Sequence, residues 1–540
     1  VRRIWFMLFC AALLVTAVPG SVSAAAGTGT GAAESADVSP SAGEPRPLDQ
    51  VIPAPASVQP GGEPYALGER TRIQVPRDSR QAREVGERLA ALLRPSTGFA
   101  LPVTAHREGR PGGGGIQLKL DGPRKLGKEG YRLDVSPRGA VLQARTQTGL
   151  FYGVQTLRQL LPERVEARSA QQGPWLLAGG RITDLPRYEY RGAMLDVSRH
   201  FLTVDQVKHY VDQLAMYKIN KLHLHLSDDQ GWRIAIDSWP RLTEVGGSTQ
   251  VGGGPGGYYT KAEYRQILRY AAERQLTVVP EIDMPGHTNA ALASYAELNC
   301  DGVAPPLYTG TEVGFSSLCV PLERTYDFVD DVVREIAAMT PGPYLHIGGD
   351  EAHSTSHEDY VAFMKRAQQT VAKYGKTVVG WHQLVGADPA EGAVAQYWGR
   401  SGDAPDVAEA ARKGTRLILS PANRAYLDMK YNKDTPLGLS WAGYVEVRQS
   451  YDWDPGTYLQ GAPGESVLGV EAPLWTETLR TNDEIEFMAF PRLPGIAELG
   501  WSPASTHDWE DYRTRLAGHG PRWEQLGIDY WRSPEVPWND

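Results

Sequence analysis

The sequence predicts an α/β protein, a (β/α)8 barrel preceded by a small α+β domain. Eight short β-rich runs recur over roughly 300 residues, most with a helical stretch before the next, which is the rhythm of that barrel. Each run ends near a charged or aromatic residue, and barrels carry their chemistry at the C-terminal ends of their strands. No glycine-rich phosphate loop follows the first run, which ranks the alternative, an open doubly wound sheet, behind the barrel.

Taken in order, the chain opens with Arg2 and Arg3, an apolar run over 4–18, and "SVSA" ending at Ala24. A basic start, a short apolar stretch and small residues at a cleavage point are the marks of a secretory signal over 1–24. The run is short for a bilayer and lacks a stop-transfer flank, so a membrane anchor is the weaker reading. The expectation is a secreted, extracellular protein with no membrane contact once the signal is removed. Residues 25–46 are Ala, Gly, Ser, Pro and Glu with little apolar bulk, a disordered lead-in.

Residues 47–185 read as the small domain. "RTRIQV" and "GIQLKL" are strands, 79–94 and 149–161 are amphipathic helices, and "YRLDVSPRGAVLQAR" is a hairpin turning at Pro137-Arg138-Gly139. No reactive constellation appears there, so its role is supporting. The barrel occupies 186–510. Its strands are expected at 192–198, 221–227, 276–283, 344–350, 376–382, 393–398, 416–421 and 466–475, with helices such as 203–218 and 261–275 between them. Residues 511–540 form a helical extension packed on the barrel.

Composition narrows the function. A net charge of −9 and a pI near 5.8 leave no basic footprint for nucleic acid. Fourteen Trp and 25 Tyr against 10 Phe favour side chains with a flat apolar face and a polar edge, which suit sugars, although most of them fill the core. Cys10 falls in the signal, leaving Cys300 and Cys319 to pair in an oxidising compartment. That disulfide is worth about 3 kcal/mol by loop entropy.

The strand ends supply Arg199, then Asp228 and Asp229, then Asp283 and His287, then Asp350 and Glu351. Trp381, Trp398, Tyr426, Asp428, Trp475 and Glu477 follow. Acids and indoles converging on one mouth describe a glycan pocket, with carboxylates accepting from hydroxyls and indoles covering ring faces. The adjacent acids of "HIGGDEAH" set the chemistry. As mere helix caps they would need no such context. Two carboxyls facing each other across the scissile bond would make a nucleophile-type enzyme, but neighbours in sequence leave a strand in different directions. One acid donating a proton while the other aims a 2-acetamido group of the substrate at its own anomeric carbon fits better. Asp229 alone reads equally well as a turn residue.

Eight blocks stand in register: "RGAMLDVSRHF", "INKLHLHLSDDQGWR", "VVPEIDMPGHTNAAL", "YLHIGGDEAH", "GWHQL", "QYWG", "YLDMKY" and "EAPLWTE". Together they resemble glycoside hydrolase family 20, the β-N-acetylhexosaminidases, and in particular the secreted bacterial members. Residues 47–185 resemble that family's smaller N-terminal domain. The resemblance implies an exo-acting retaining enzyme on terminal β-linked N-acetylhexosamine, in oligosaccharides such as chitin fragments or in glycoconjugates. It implies Glu351 as general acid and then base, needing a pKa raised toward neutral. Asp350 would hold the acetamido N–H and Tyr426 its oxygen. Trp381, Trp398 and Trp475 would wall the methyl and the ring. Arg199, Asp228, Asp428 and Glu477 would grip hydroxyls, and His287 would tune the acid from Asp228 or Glu351.

No cofactor is expected. His223 and His225 in "HLHL" alternate onto one face and invite a zinc reading with His346 and His382, but the resemblance gives them no such role. A non-catalytic glycan-binding barrel would have lost an acid of "GGDE", and both are present. A nucleophile-type β-glycosidase is the remaining alternative.

Overall fold

The computed structural model describes residues 43–105 and 114–538. The signal expected over 1–24, and the lead-in up to residue 42, lie outside the described residues.

The small domain is built on a seven-stranded mixed sheet. Its order is Ser57–Pro60, Gly180–Asp184, Tyr131–Ser136, Gly139–Ala144, Ile116–Lys119, Ile73–Val75 and Val103–Ala105. The hairpin turns where the sequence places it, with Ser136 opposite Gly139. The first helix runs over Arg80–Thr97, capped by the Ser79 hydroxyl on the Ala82 N–H, and carries Pro95 inside its last turn. The second, Gln147–Leu160, buries eleven of its 14 residues, because it lies between the sheet and the barrel. It approaches the sheet so closely that a Cβ on Gly153 would stand 2.3 Å from Leu142 Cδ1.

Eight parallel strands close the barrel: β1 (Tyr190–Asp196), β2 (Lys221–His225), β3 (Thr277–Glu281), β4 (Tyr344–His346), β5 (Thr377–Trp381), β6 (Val394–Tyr397), β7 (Arg416–Leu419) and β8 (Val467–Leu474). They pair in sequence order, and β8 returns to β1. Period-two alternation sorts the interior into layers. Tyr190, Val279, Val379, Val394, Ile418 and Leu468 make an apolar cluster separate from the main core, a plug near the strand starts. Two residues on along β3, β5 and β6 come Glu281, Trp381 and Gln396, a polar layer above the plug. β1 keeps its expected length and starts two residues earlier, and the other seven strands are shorter than the runs expected from sequence. The residues that follow them, such as the glycines after His346, already bend toward the mouth.

Lys218 joins the two parts of the molecule. Fully buried, its Nζ lies 3.0 Å from Asp184 Oδ2 and 3.0 Å from the Tyr131 hydroxyl, above the Trp501 ring. Trp501 Nε1 donates to the other Asp184 oxygen at 2.9 Å. The C-terminal helices Trp509–Ala517 and Gly520–Leu526 do more than pack on the barrel. Arg515 grips Glu498 at 2.7 Å and the Val51 carbonyl at 3.0 Å, and Arg522 donates to the Leu161 carbonyl at 2.7 Å. The extension therefore ties the small domain to the barrel. Among the described residues no helix is long and apolar enough to cross a membrane.

Replacing Lys218 with Met leaves Asp184 as a buried charge without its cation. The expected outcome is a loss of about 3 kcal/mol or more in urea unfolding; a change below about 1 kcal/mol would show that the ion pair does not hold the junction.

Candidate active site

The site grows out of the polar layer. Glu281, fully buried on β3, meets three imidazoles: His225 Nδ1 at 2.5 Å, His223 Nε2 at 3.0 Å and His346 Nδ1 at 3.0 Å. Glu471 on β8 takes the other His223 nitrogen at 2.8 Å and the Gln396 amide at 2.7 Å. Burial works against the Glu281 carboxylate, but the three imidazoles hold it well below the usual range. The histidines considered as zinc donors are thus engaged with carboxylates at hydrogen-bond distances. His382 stands apart, against the Tyr397 and Trp398 rings.

This layer aims the mouth. Trp381, at the end of β5, donates its indole N–H to Glu281 at 2.9 Å, so its ring is fixed. His225 Nε2 holds Asp228 Oδ2 at 2.7 Å. Asp228 Oδ2 also meets Arg199 Nη2 at 2.9 Å, and Oδ1 meets His287 Nδ1 at 3.1 Å and the Asp229 N–H at 2.6 Å. Burial opposes this charge, yet Arg199 and His287 keep Asp228 well below the ordinary carboxylate range. Both of its oxygens face protein donors, so it orients Arg199 and His287 as well as bordering the pocket. The turn carrying Arg199 is set by Asp196, which accepts the Ser198 and Arg199 N–H groups at 2.8 and 3.1 Å.

The paired acids leave β4 through two glycines with positive φ. A Cβ on Gly348 would overlap Asp283 Oδ1, only 1.6 Å away, so this bend beside Asp283 requires glycine. Glu351 and His287 themselves hold φ of 45° and 56°, conformations that cost side-chain-bearing residues about 1–3 kcal/mol and that cluster at functional sites. His287 Nε2 stands 3.5 Å from Asp350 Oδ2 and 3.3 Å from Glu351 Oε2. It therefore reaches Asp228 and both acids, where the sequence offered Asp228 or Glu351 as alternatives. Burial would lower the imidazole, but Asp228 and Asp350 raise it well above its usual value, so it is cationic at neutral pH. Asp350 is pushed up to about 6 by burial, with His287 opposing and Glu351 adding to the rise. The Glu351 side chain stays 28% exposed, open to an incoming group or water.

Aromatic rings form the opposite wall. Trp475 lies 5.8 Å from Trp381 and 6.3 Å from Tyr426, with the Arg199 guanidinium 4.7 Å above it. Trp398 closes one side, its indole N–H held by Gln383 at 3.1 Å. Trp441, 45% exposed, meets both Trp398 and Tyr426 edge-on at 5.9 and 5.8 Å. Sequence reading missed it because it lies in a long loop well past β7. It also missed Glu281, Glu471 and Gln396, which point into the barrel below the mouth: Glu281 is the last residue of β3, and the other two lie inside β8 and β6. Their signal was present: two acids and an amide at inward positions of otherwise apolar runs.

Several buried atoms of this mouth make no hydrogen bond at ordinary geometry: Arg199 Nε and Nη1, Asp350 Oδ1, both Asp428 oxygens and Glu477 Oε2, although Asp196 Oδ2 lies 3.6 Å from Arg199 Nη1. Asp428 is raised well above the usual range by burial and then by Glu477. Unpartnered buried polar atoms are costly and mark places where a ligand completes the bonding. Cys300 and Cys319 form a disulfide that closes the loop after β3, beside this mouth.

Donors, acceptors and flat rings converging at a barrel's C-terminal face define a carbohydrate-active barrel enzyme, a glycoside hydrolase. Comparison with known families agrees. The model of the glycosyl hydrolase family 20 catalytic domain matches residues 188–504, and that of the family's domain 2 matches 49–185. The chain belongs to glycosyl hydrolase family 20. It is similar to a beta-N-acetylhexosaminidase of Cellulomonas fimi, 43% identical over 90% of this chain and 97% of that protein. The structure of the Streptomyces plicatus N-acetyl-beta-hexosaminidase in complex with Thio-NAglucal superimposes with a TM-score of 0.89 at 71% identity, covering 92% of this chain and 99% of the other. The family 20 beta-N-acetylhexosaminidase of Streptomyces coelicolor A3(2) gives 0.89 at 70% identity, covering 92% and 100%.

Asp350 loses its charge as pH falls through about 6. The expected outcome is an acidic limb in kcat/KM with its midpoint near about 6, falling tenfold per unit below it, and absent in Asp350→Asn. A limb unchanged by that substitution would assign it to another group.

Proposed function

We propose that this chain is an exo-acting, retaining β-N-acetylhexosaminidase. It hydrolyses terminal, non-reducing, β-linked N-acetylglucosamine or N-acetylgalactosamine, and the substrate's own acetamido oxygen attacks the anomeric carbon to form an oxazolinium intermediate. The observation that carries this reading is the placement of the acids. Asp350 and Glu351 reach the same His287 nitrogen and so line one side of the pocket, and Asp350 Oδ1 is buried with no hydrogen-bond partner. A nucleophile-type enzyme wants its carboxyls facing each other across the bond. An acceptor sunk beside indole rings suits the N–H of an acetamido group whose methyl packs on those rings.

The remaining roles follow from position. Glu351, partly exposed, protonates the leaving oxygen and then takes a proton from water. Ionised Asp350 holds the acetamido N–H and balances the positive intermediate. The Tyr426 hydroxyl steadies the acetamido oxygen. Trp381, Trp398 and Trp475 wall the methyl and the ring. Arg199, Asp428 and Glu477 take hydroxyls of the terminal sugar, with Asp228 setting the guanidinium. The burial of Arg199 and Asp428, which would meet the far hydroxyls of a terminal sugar, supports exo action. The names of the Cellulomonas and Streptomyces relatives support the same substrate class. N-acetylhexosamine oligosaccharides, chitin fragments among them, and glycoconjugates are its substrates. The signal-like segment over 1–24 and the Cys300–Cys319 disulfide support export to an oxidising, extracellular space.

A chromogenic N-acetylglucosaminide is expected to turn over at least about a hundredfold faster than the plain glucoside, since the attacking group is lost in the latter. Equal rates would overturn substrate assistance. Glu351→Gln is expected to slow poor leaving groups far more than activated phenols, read as kcat/KM across a leaving-group series; uniform loss would count against Glu351 as the acid. Expression with residues 1–24 retained is expected to release protein into the medium beginning after Ala24, read by N-terminal sequencing; retention in the cell would contradict export.

A further inference from the structure

Asp229 is the acid of "SDDQ" that the roles above leave unused. It is buried, and it does not behave as a simple turn residue. Its Oδ1 accepts the Ser316 hydroxyl at 2.5 Å and the Asn289 N–H at 2.9 Å. The same Ser316 oxygen accepts the Thr288 N–H at 2.9 Å. The two residues immediately after His287 are thus pinned, one by Ser316 and the other by Asp229. Asp229 Oδ2 is buried without a hydrogen-bond partner and lies 4.0 Å from His287 Nδ1. Ser316 belongs to the loop closed by the disulfide, and Leu318 N donates to the Pro285 carbonyl at 3.0 Å two residues before His287.

The fastening has a reason. His287 adopts a left-handed backbone, φ 56°, that an unrestrained histidine leaves. From it the ring reaches Asp228 on one side and Asp350 and Glu351 on the other. A relaxation of a few tenths of an ångström would break a bridge whose contacts are already 3.1–3.5 Å long. We propose that Asp229 and Ser316 form a clasp that positions His287 against the acid pair, making both of them positioning residues for the hydrolysis. This rests on the function proposed above and deepens it. Neither residue touches sugar. They act through the imidazole, which sets the charge around Glu351 and Asp350.

The charged groups facing His287 are Asp228 and Asp229 after β2, Asp283 after β3, and Asp350 and Glu351 after β4; the Arg199 guanidinium stands behind Asp228. Loosening the clasp changes how these acids share the imidazole, so it moves the pH profile. A residue that served stability alone would not.

The test uses the whole enzyme with Ser316→Ala, Ser316→Thr and Asp229→Asn. Each is measured on N,N′-diacetylchitobiose, which needs full proton donation, and on 4-nitrophenyl N-acetylglucosaminide, which needs little. Ser316→Ala and Asp229→Asn are expected to lose roughly tenfold or more in kcat on the disaccharide and less on the aryl substrate, with KM moving under about twofold. The limbs of the pH profile are expected to shift by about half a unit, and Ser316→Thr, which keeps the hydroxyl, to recover most of the rate. Equal losses on both substrates with an unmoved pH profile, or wild-type kinetics in both variants, would overturn the clasp. Wild-type enzyme that failed on both N-acetylated substrates would instead overturn the proposed function.

Discussion

The structure depends on one constraint: a charge taken out of water inside the barrel must find a partner. At mid-depth side chains of the barrel surround both buried carboxylates. Glu281 is surrounded by His223, His225 and His346, and Glu471 by His223, Tyr190 and Gln396. One layer higher the compensation is incomplete. Arg199, Asp350, Asp428 and Glu477 keep buried atoms with no hydrogen-bond partner. The carboxylates of the lower layer make it an anchor, and the open carboxylates and guanidinium of the upper one make it a receptor.

Anchor and receptor are connected by particular bonds. Trp381 is held by Glu281, and Asp228 by His225, so the positions of an indole wall and of the Arg199 guanidinium trace back to the imidazole layer. His287 carries the same order across to the acid pair. Its cationic ring lowers Asp350 against the upward push of burial and of the neighbouring Glu351. Two adjacent acids are tolerable because a third group, placed by a strained backbone, shares its charge between them.

Much of this was legible in the chain. The eight strands announced themselves through short β-branched runs, and the acids, indoles and arginine at their ends were found because a barrel's strand ends converge. Strand lengths were overestimated at β4, where "IGGD" continues an apolar-looking run but the glycines at 348 and 349 turn the backbone out of the sheet. The small sheet was only partly readable. Its strands of three or four residues, such as Val103–Ala105 and Ser57–Pro60, carry too few positions for alternation to show. Trp441 was not found because loop geometry, not strand register, brings it to Tyr426. Glu281 and Glu471 were not found because an inward-facing acid declares its role only when its partners from other strands are known.

The central claim is that the substrate's amide arm does the attacking while Asp350 holds it. The most direct measurement is a crystal structure of the enzyme with a thiazoline analogue of the cyclic intermediate. The account predicts the ring nitrogen within hydrogen-bond distance of Asp350 and the methyl against Trp381 and Trp475. A covalent ester between a carboxylate of the enzyme and the anomeric carbon, trapped during turnover, would contradict it.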